Sequence, residues 1–98
     1  MRRGTTPTIT ITTDIDLSGA SNLFVTFKQG NKLAFEKTLE DVVITEETVV
    51  CKLTQDDTLA LKNGMVQFQI RATLNDGSKV ASNIMDANVD GVLKGGEI

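Results

Sequence analysis

At 98 residues the chain has room for one domain, residues 1–98, whose core can bury roughly two-thirds of the surface the unfolded chain exposes. Its formal net charge of -3, with Arg2-Arg3 as the one basic cluster, argues against general nucleic-acid or anionic-membrane binding. Histidine, tryptophan and tyrosine are absent and Cys51 is the single cysteine, which removes the commonest general base and metal ligand, the best aromatic platforms for sugars and bases, and any internal disulfide.

In chain order, the first predicted element covers 8–14, where Thr8, Thr10 and Thr12 alternate with Ile9 and Ile11. This is the pattern of a β-edge or surface strand, and its exposed threonines can pair with a neighbouring chain. Ahead of it, the first twenty residues contain no apolar signal segment, and no run approaches the ~18 residues of a membrane span. The chain is expected to be made and folded in a cytoplasm, or to leave it without an N-terminal secretory signal. Asp14 and Asp16 lead into Leu17-Ser18-Gly19-Ala20, read as a loop in which Asp bonds local amides.

Strands follow at 23–28, 32–37, 42–45 and 48–53, with Gly30-Asn31 and Glu46-Glu47 as turns. Val25, Phe27, Phe35, Val49 and Cys51 take the inward phase, whereas Phe24 is out of phase and suits either a second-layer contact or an interface. An inward Cys51 is a buried apolar thiol rather than a reactive one. Thr54-Gln55-Asp56-Asp57 is a capping signal and Lys62-Asn63-Gly64 a stop, so one or two helical turns are expected near 55–61, with Leu59 and Leu61 plugging the end of the core. Glu40-Asp41 and Asp56-Asp57 read as solvated turn and helix-start charges.

The clearest strand is 66–74: Val66, Phe68, Ile70, Ala72 and Leu74 alternate with Gln67, Gln69, Arg71 and Thr73. One apolar and one polar face mark an antiparallel sheet covering a core on one side. Asp76-Gly77 suggests a two-residue hairpin loop, and the last strand is expected as one run over 79–87 in which Val80, Ser82 and Ile84 share a face. Seven closely spaced strands define the expected fold class: an all-β, antiparallel immunoglobulin-like β-sandwich with one short helical turn.

Near the C-terminus, Asp86, Asn88, Asp90, Gly91 and Glu97 match the spacing of an EF-hand calcium loop. The preceding residues read as strand and no exiting helix follows, so a terminal strand with a bulge is the expectation and no cofactor or metal is assigned. Paired carboxylates for glycoside hydrolysis would need aromatic cleft walls that this composition lacks. Gly95-Gly96 lacks the strand-to-helix setting of a phosphate loop and reads as a flexible terminus.

Arg2-Arg3-Gly4-Thr5-Thr6-Pro7-Thr8, Lys52-Leu53-Thr54-Gln55-Asp56-Asp57-Thr58, Val66-Gln67-Phe68-Gln69-Ile70-Arg71 with Asp76-Gly77 and Ala81-Ser82, and Leu93-Lys94-Gly95-Gly96-Glu97-Ile98 span nearly the whole chain. Together they resemble a family of small phage and prophage proteins encoded among the tail genes of phages infecting Gram-positive bacteria. More loosely, Asp16-Leu17-Ser18-Gly19-Ala20 leading into Val25-Thr26-Phe27 resembles the immunoglobulin-like N-terminal domain of phage baseplate upper proteins. These resemblances imply a non-enzymatic virion structural protein of the tail or baseplate, made in the bacterial host cytoplasm. The implied partners are other tail or baseplate proteins and further copies of the chain, not nucleic acid or membrane. Arg2, Arg3, Thr8, Thr10 and Thr12 are the expected partner contacts, with the 1–6 leader dispensable for folding. The alternative function is a small ligand- or cell-surface-binding module using glycan or calcium.

Overall fold

The computed structural model describes residues 1–98. Its strands are β1 (Thr8–Thr12), β2 (Ala20–Gln29), β3 (Lys32–Thr38), β4 (Val42–Ile44), β5 (Thr48–Lys52), β6 (Gly64–Leu74), β7 (Lys79–Ala81) and β8 (Met85–Val89), with a 3-10 turn at Leu39–Asp41 and a helix α1 at Gln55–Leu59. All strand pairs are antiparallel, in sheets of order β1-β5-β4 and β3-β2-β6-β7, with β8 also on β6. These orders are those of immunoglobulin strands B-E-D and C′-C-F-G, and no strand of this chain occupies position A beside β1. The expected fold class is therefore observed, with the helical turn where the capping signal put it.

Side chains alternating inward from both sheets, joined by Leu17, Leu53 and Leu61 from the connecting segments, form a core of 14 buried apolar residues. Val25, Phe27, Val49, Cys51, Val66, Phe68 and Ile70 belong to it, while Phe35 is half-buried at its margin. Phe27 lies opposite Phe35 on one side and Phe68 on the other, and its ring stacks on theirs at centroid distances of 4.4 and 5.3 Å.

The last strand is not one run. Arg71 faces Ala81 and Phe68 faces Met85, so three steps along β6 are matched by four on the partner. The extra residue is a bulge across 82–84, held where Ile70 N donates to Ser82 Oγ (3.0 Å) and Ser82 N donates to Ile70 O (2.9 Å). The bulge reverses the phase, so Met85, Ala87 and Val89 turn inward and Ile84, expected beside Val80, becomes exposed. The β6–β7 loop is likewise one residue longer than Asp76-Gly77 suggested. Gly77 N donates to Leu74 O and Leu74 N to Ser78 O, enclosing residues 75–77 with Gly77 at a φ of 87°, the three-residue hairpin with a glycine bulge.

At the end of the sandwich, Thr54 Oγ1 accepts from Asp57 N (3.1 Å) and Asp57 Oδ2 from Thr54 N (2.8 Å), a reciprocal capping box. Leu61 is the plug, fully buried, while Leu59 is only half-buried. Asp57 is not the solvated helix-start charge expected from sequence: its carboxylate meets Lys37 Nζ at 2.5 Å, with the side chains only 12% (Lys37) and 15% (Asp57) exposed. Lys37 lies opposite Val25 and so projects along the inward phase of β3, which carries its ammonium to α1. Burial would raise the Asp57 carboxyl, but bonds from Lys37 and from the Thr54 amide and hydroxyl outweigh it and hold the group below its usual range.

Phe27→Ala is expected to cost about 3–5 kcal/mol in denaturant unfolding, because it empties the centre of a three-ring stack; a near-wild-type midpoint would contradict the register. Lys37→Ala strands a shielded carboxylate and should cost about 1–3 kcal/mol. The Asp57 stabilisation is complete above its ordinary value of 3.8 and is lost as pH falls through the lower folded value. Acid melts should therefore decline more steeply in wild type than in Lys37→Ala.

Candidate interaction surfaces

The free edge of β1 is built by ladder geometry. Leu53 N donates to Pro7 O (2.9 Å) and Thr13 N to Glu47 O (2.8 Å), so odd-numbered residues exchange bonds with β5. In an antiparallel ladder the alternate residues aim their amides and carbonyls the other way. Thr8, Thr10 and Thr12 thus present both backbone groups and exposed side chains along an edge that no strand of the chain covers, while Ile11 is buried and Ile9 half-buried beneath. At the Thr12 end a crevice of about 220 Å³ opens between β1 and β7–β8, lined by Ile11, Leu17, Ile70, Val80 and Met85 among others.

Arg2 and Arg3 part company. The Arg3 guanidinium is partly buried and caps α1, donating through Nε to Leu61 O (2.5 Å) and through a terminal nitrogen to Leu59 O (2.9 Å). Arg3 N donates to Asp90 O and Asp90 N to Met1 O, and buried Thr58 donates its hydroxyl to Thr5 O (2.8 Å). Residues 1–6 therefore stitch α1 to the end of β8, contrary to the expectation that they are dispensable for folding. Arg2 remains exposed, with one bond to Gly91 O at 3.1 Å.

A second surface was only hinted at by the phase of Phe24. Phe24, opposite Arg71, lies on the outer face of the β3-β2-β6 sheet at 38% exposure, and Leu33, Met65 and Ile84 are exposed too. Shallow depressions flank Thr26, Glu36 and Arg71 on this face, where Thr26 Oγ1 donates to Glu36 at 3.1 Å. Sequence could not show Ile84, because its orientation depends on the bulge.

The chemical candidates separate in space. Asp86 and Asn88 lie on extended β8, Asn88 Nδ2 bonds Asp90 Oδ1 (3.0 Å), and Glu97 meets Asp56 beside α1. Sharing a hydrogen bond and like charge with Asp56 raises the Glu97 carboxyl. The calcium-loop spacing thus does not fold into a ligand shell, and no three acidic or thiol groups converge elsewhere. Asp16 accepts from Ser18 Oγ (2.6 Å) and Ser18 N (2.9 Å), which lowers its carboxyl and makes it the turn residue expected. Burial pushes the Cys51 thiol up to about 11, with Lys37 opposing and Asp57 and Asp41 adding to the rise.

Melts in about 1 mM calcium and in chelator should superimpose, since a ligand held only by the folded state raises its stability by mass action. A calcium-dependent rise that Asp86→Ala abolishes would overturn this assignment. Comparison with known families, curated proteins and solved structures finds no match to this chain.

Proposed function

We propose that this chain is a structural protein of a phage virion, placed at the tail or baseplate and acting through protein–protein contacts rather than catalysis. The reading rests first on the resemblance of its N-terminal, central and C-terminal segments to small tail-region proteins of phages and prophages. The single structural observation that supports it most is the open β1 edge, where Thr8, Thr10 and Thr12 offer a row of backbone donors and acceptors. Addition of a strand to such an edge joins chains through main-chain bonds and asks for no reactive side chain.

The outer face of the larger sheet gives the protein a second contact region on the opposite layer of the sandwich. Phe24, Leu33, Met65 and Ile84 stand among Gln67, Gln69 and Arg71, apolar groups dispersed in a polar field. Such a face suits a partner that supplies matching apolar contacts and polar bonds together. Two contact regions on different layers would let one small domain bridge neighbours in an assembly.

Mass spectrometry of washed, purified particles is expected to find the chain in a fixed copy number relative to a tail component. Its absence from particles would sink the proposal. Truncation of residues 1–6 is a poor probe of docking, because it removes the Arg3 cap and the Thr5 carbonyl that holds Thr58.

A further inference from the structure

We propose that two copies of this chain pair through β1 about a twofold axis at Thr10, joining their smaller sheets into one continuous sheet of order β4-β5-β1-β1′-β5′-β4′. This goes beyond the tail reading, since it follows from the strand edge and holds wherever the protein works.

Edges that must stay single are usually short, charged, bulged or covered. The other edges here follow that rule. β3 carries Lys32, Glu36 and Lys37 and a register shift against β2, and β4 has only three residues, flanked by Glu40, Asp41, Glu46 and Glu47. The β7–β8 edge has Lys79 and the bulge, and the 1–3 segment lies along its end through the Arg2–Asp90 bridge. Within the five residues of β1 there is no charge, proline or bulge, every residue pairs with β5 in register, and Pro7 and Asp14 lie just outside the strand.

The sequence of this edge is also a palindrome, Thr-Ile-Thr-Ile-Thr. An antiparallel copy centred on Thr10 therefore sets Thr10 against Thr10, Thr8 against Thr12, and Ile9 against Ile11. The threonines are the residues whose amides and carbonyls face outward, so each threonine pair can exchange bonds in both directions. Their side chains form cross-strand threonine pairs on the outer surface, and Ile9, half-buried in one copy, meets Ile11 of the other across the seam. An isologous contact of this kind closes on itself, so it yields a dimer and not a fibre.

Sedimentation of the purified chain over about 1–100 µM should show a reversible dimer, and Thr10→Lys, which sets two ammonium groups at the axis, should weaken it at least about tenfold. Thr10→Pro should do the same while keeping the strand signature by circular dichroism, because the amide it removes faces outward and makes no bond to β5. Cysteine substitution fixes the register: a bonded pair places Cα atoms about 5.5 Å apart, within disulfide reach. Thr10→Cys alone should cross-link under mild oxidant, whereas Thr8→Cys and Thr12→Cys should cross-link only when mixed. Buried Cys51 stays out of this reaction. A wild-type chain that is monomeric throughout, a dimer indifferent to Thr10→Lys, or self-cross-linking by Thr8→Cys alone would each overturn the pairing.

Discussion

The antiparallel register of β2 on β6, fixed where Phe27 meets Phe68, is the constraint from which most of this molecule follows. Phe27 also meets Phe35 on β3, so one ring ties together three strands of the larger sheet. With a side-chain period of two, a slip by one residue would carry Leu23, Val25 and Phe27 to solvent and bring Phe24 and Lys28 inward. The actual register puts Val25 against Ile70 and Phe24 against Arg71, creating the core and the outer contact face in one step. It also sets the phase of β3, and through it the position of the Lys37 ammonium.

That ammonium shows how the small domain closes its open end. Here α1 is laid over one end of the sandwich and fastened by polar groups. Lys37 holds Asp57 at the start of α1, while Arg3 takes the Leu59 and Leu61 carbonyls at its finish. Charge-assisted bonds in shielded settings are stronger than their solvent-exposed counterparts. Arg3 and Asp57 are thereby committed to the fold, and of the two leader arginines only Arg2 stays exposed.

Once those groups are committed, the surface offers edges and faces. Cys51, the one thiol, sits in apolar surroundings that disfavour its thiolate, and the carboxylates of the C-terminal segment are spread from β8 to α1. The β1 edge is different in kind, because backbone groups that make no bond inside the chain are held in a rigid, regular row by β5. A pre-ordered row needs little further ordering to accept a strand, which lowers the entropic cost of pairing. The same rigidity makes the pairing register-specific.

Local patterning by itself determined the class of fold, the short helix and most of the core. Val66 to Leu74 could be read from alternation alone, and Thr54 and Asp57 announced their capping box by spacing. Such features are local, governed by a side-chain period or by bonds within one turn. Tertiary structure decided the features that depend on what lies opposite. The bulge at 82–84 arises because Ser82 bonds Ile70 on the neighbouring strand, and it alone turns Ile84 outward and Met85 inward. Lys37 meets Asp57 across the end of the sandwich, and Arg3 is drawn inward by carbonyls more than fifty residues away, pairings that no local period encodes. The open edge of β1 needed both: threonine alternation marked a strand with one exposed face, but only the strand order showed that its outer backbone groups have no neighbour within the chain.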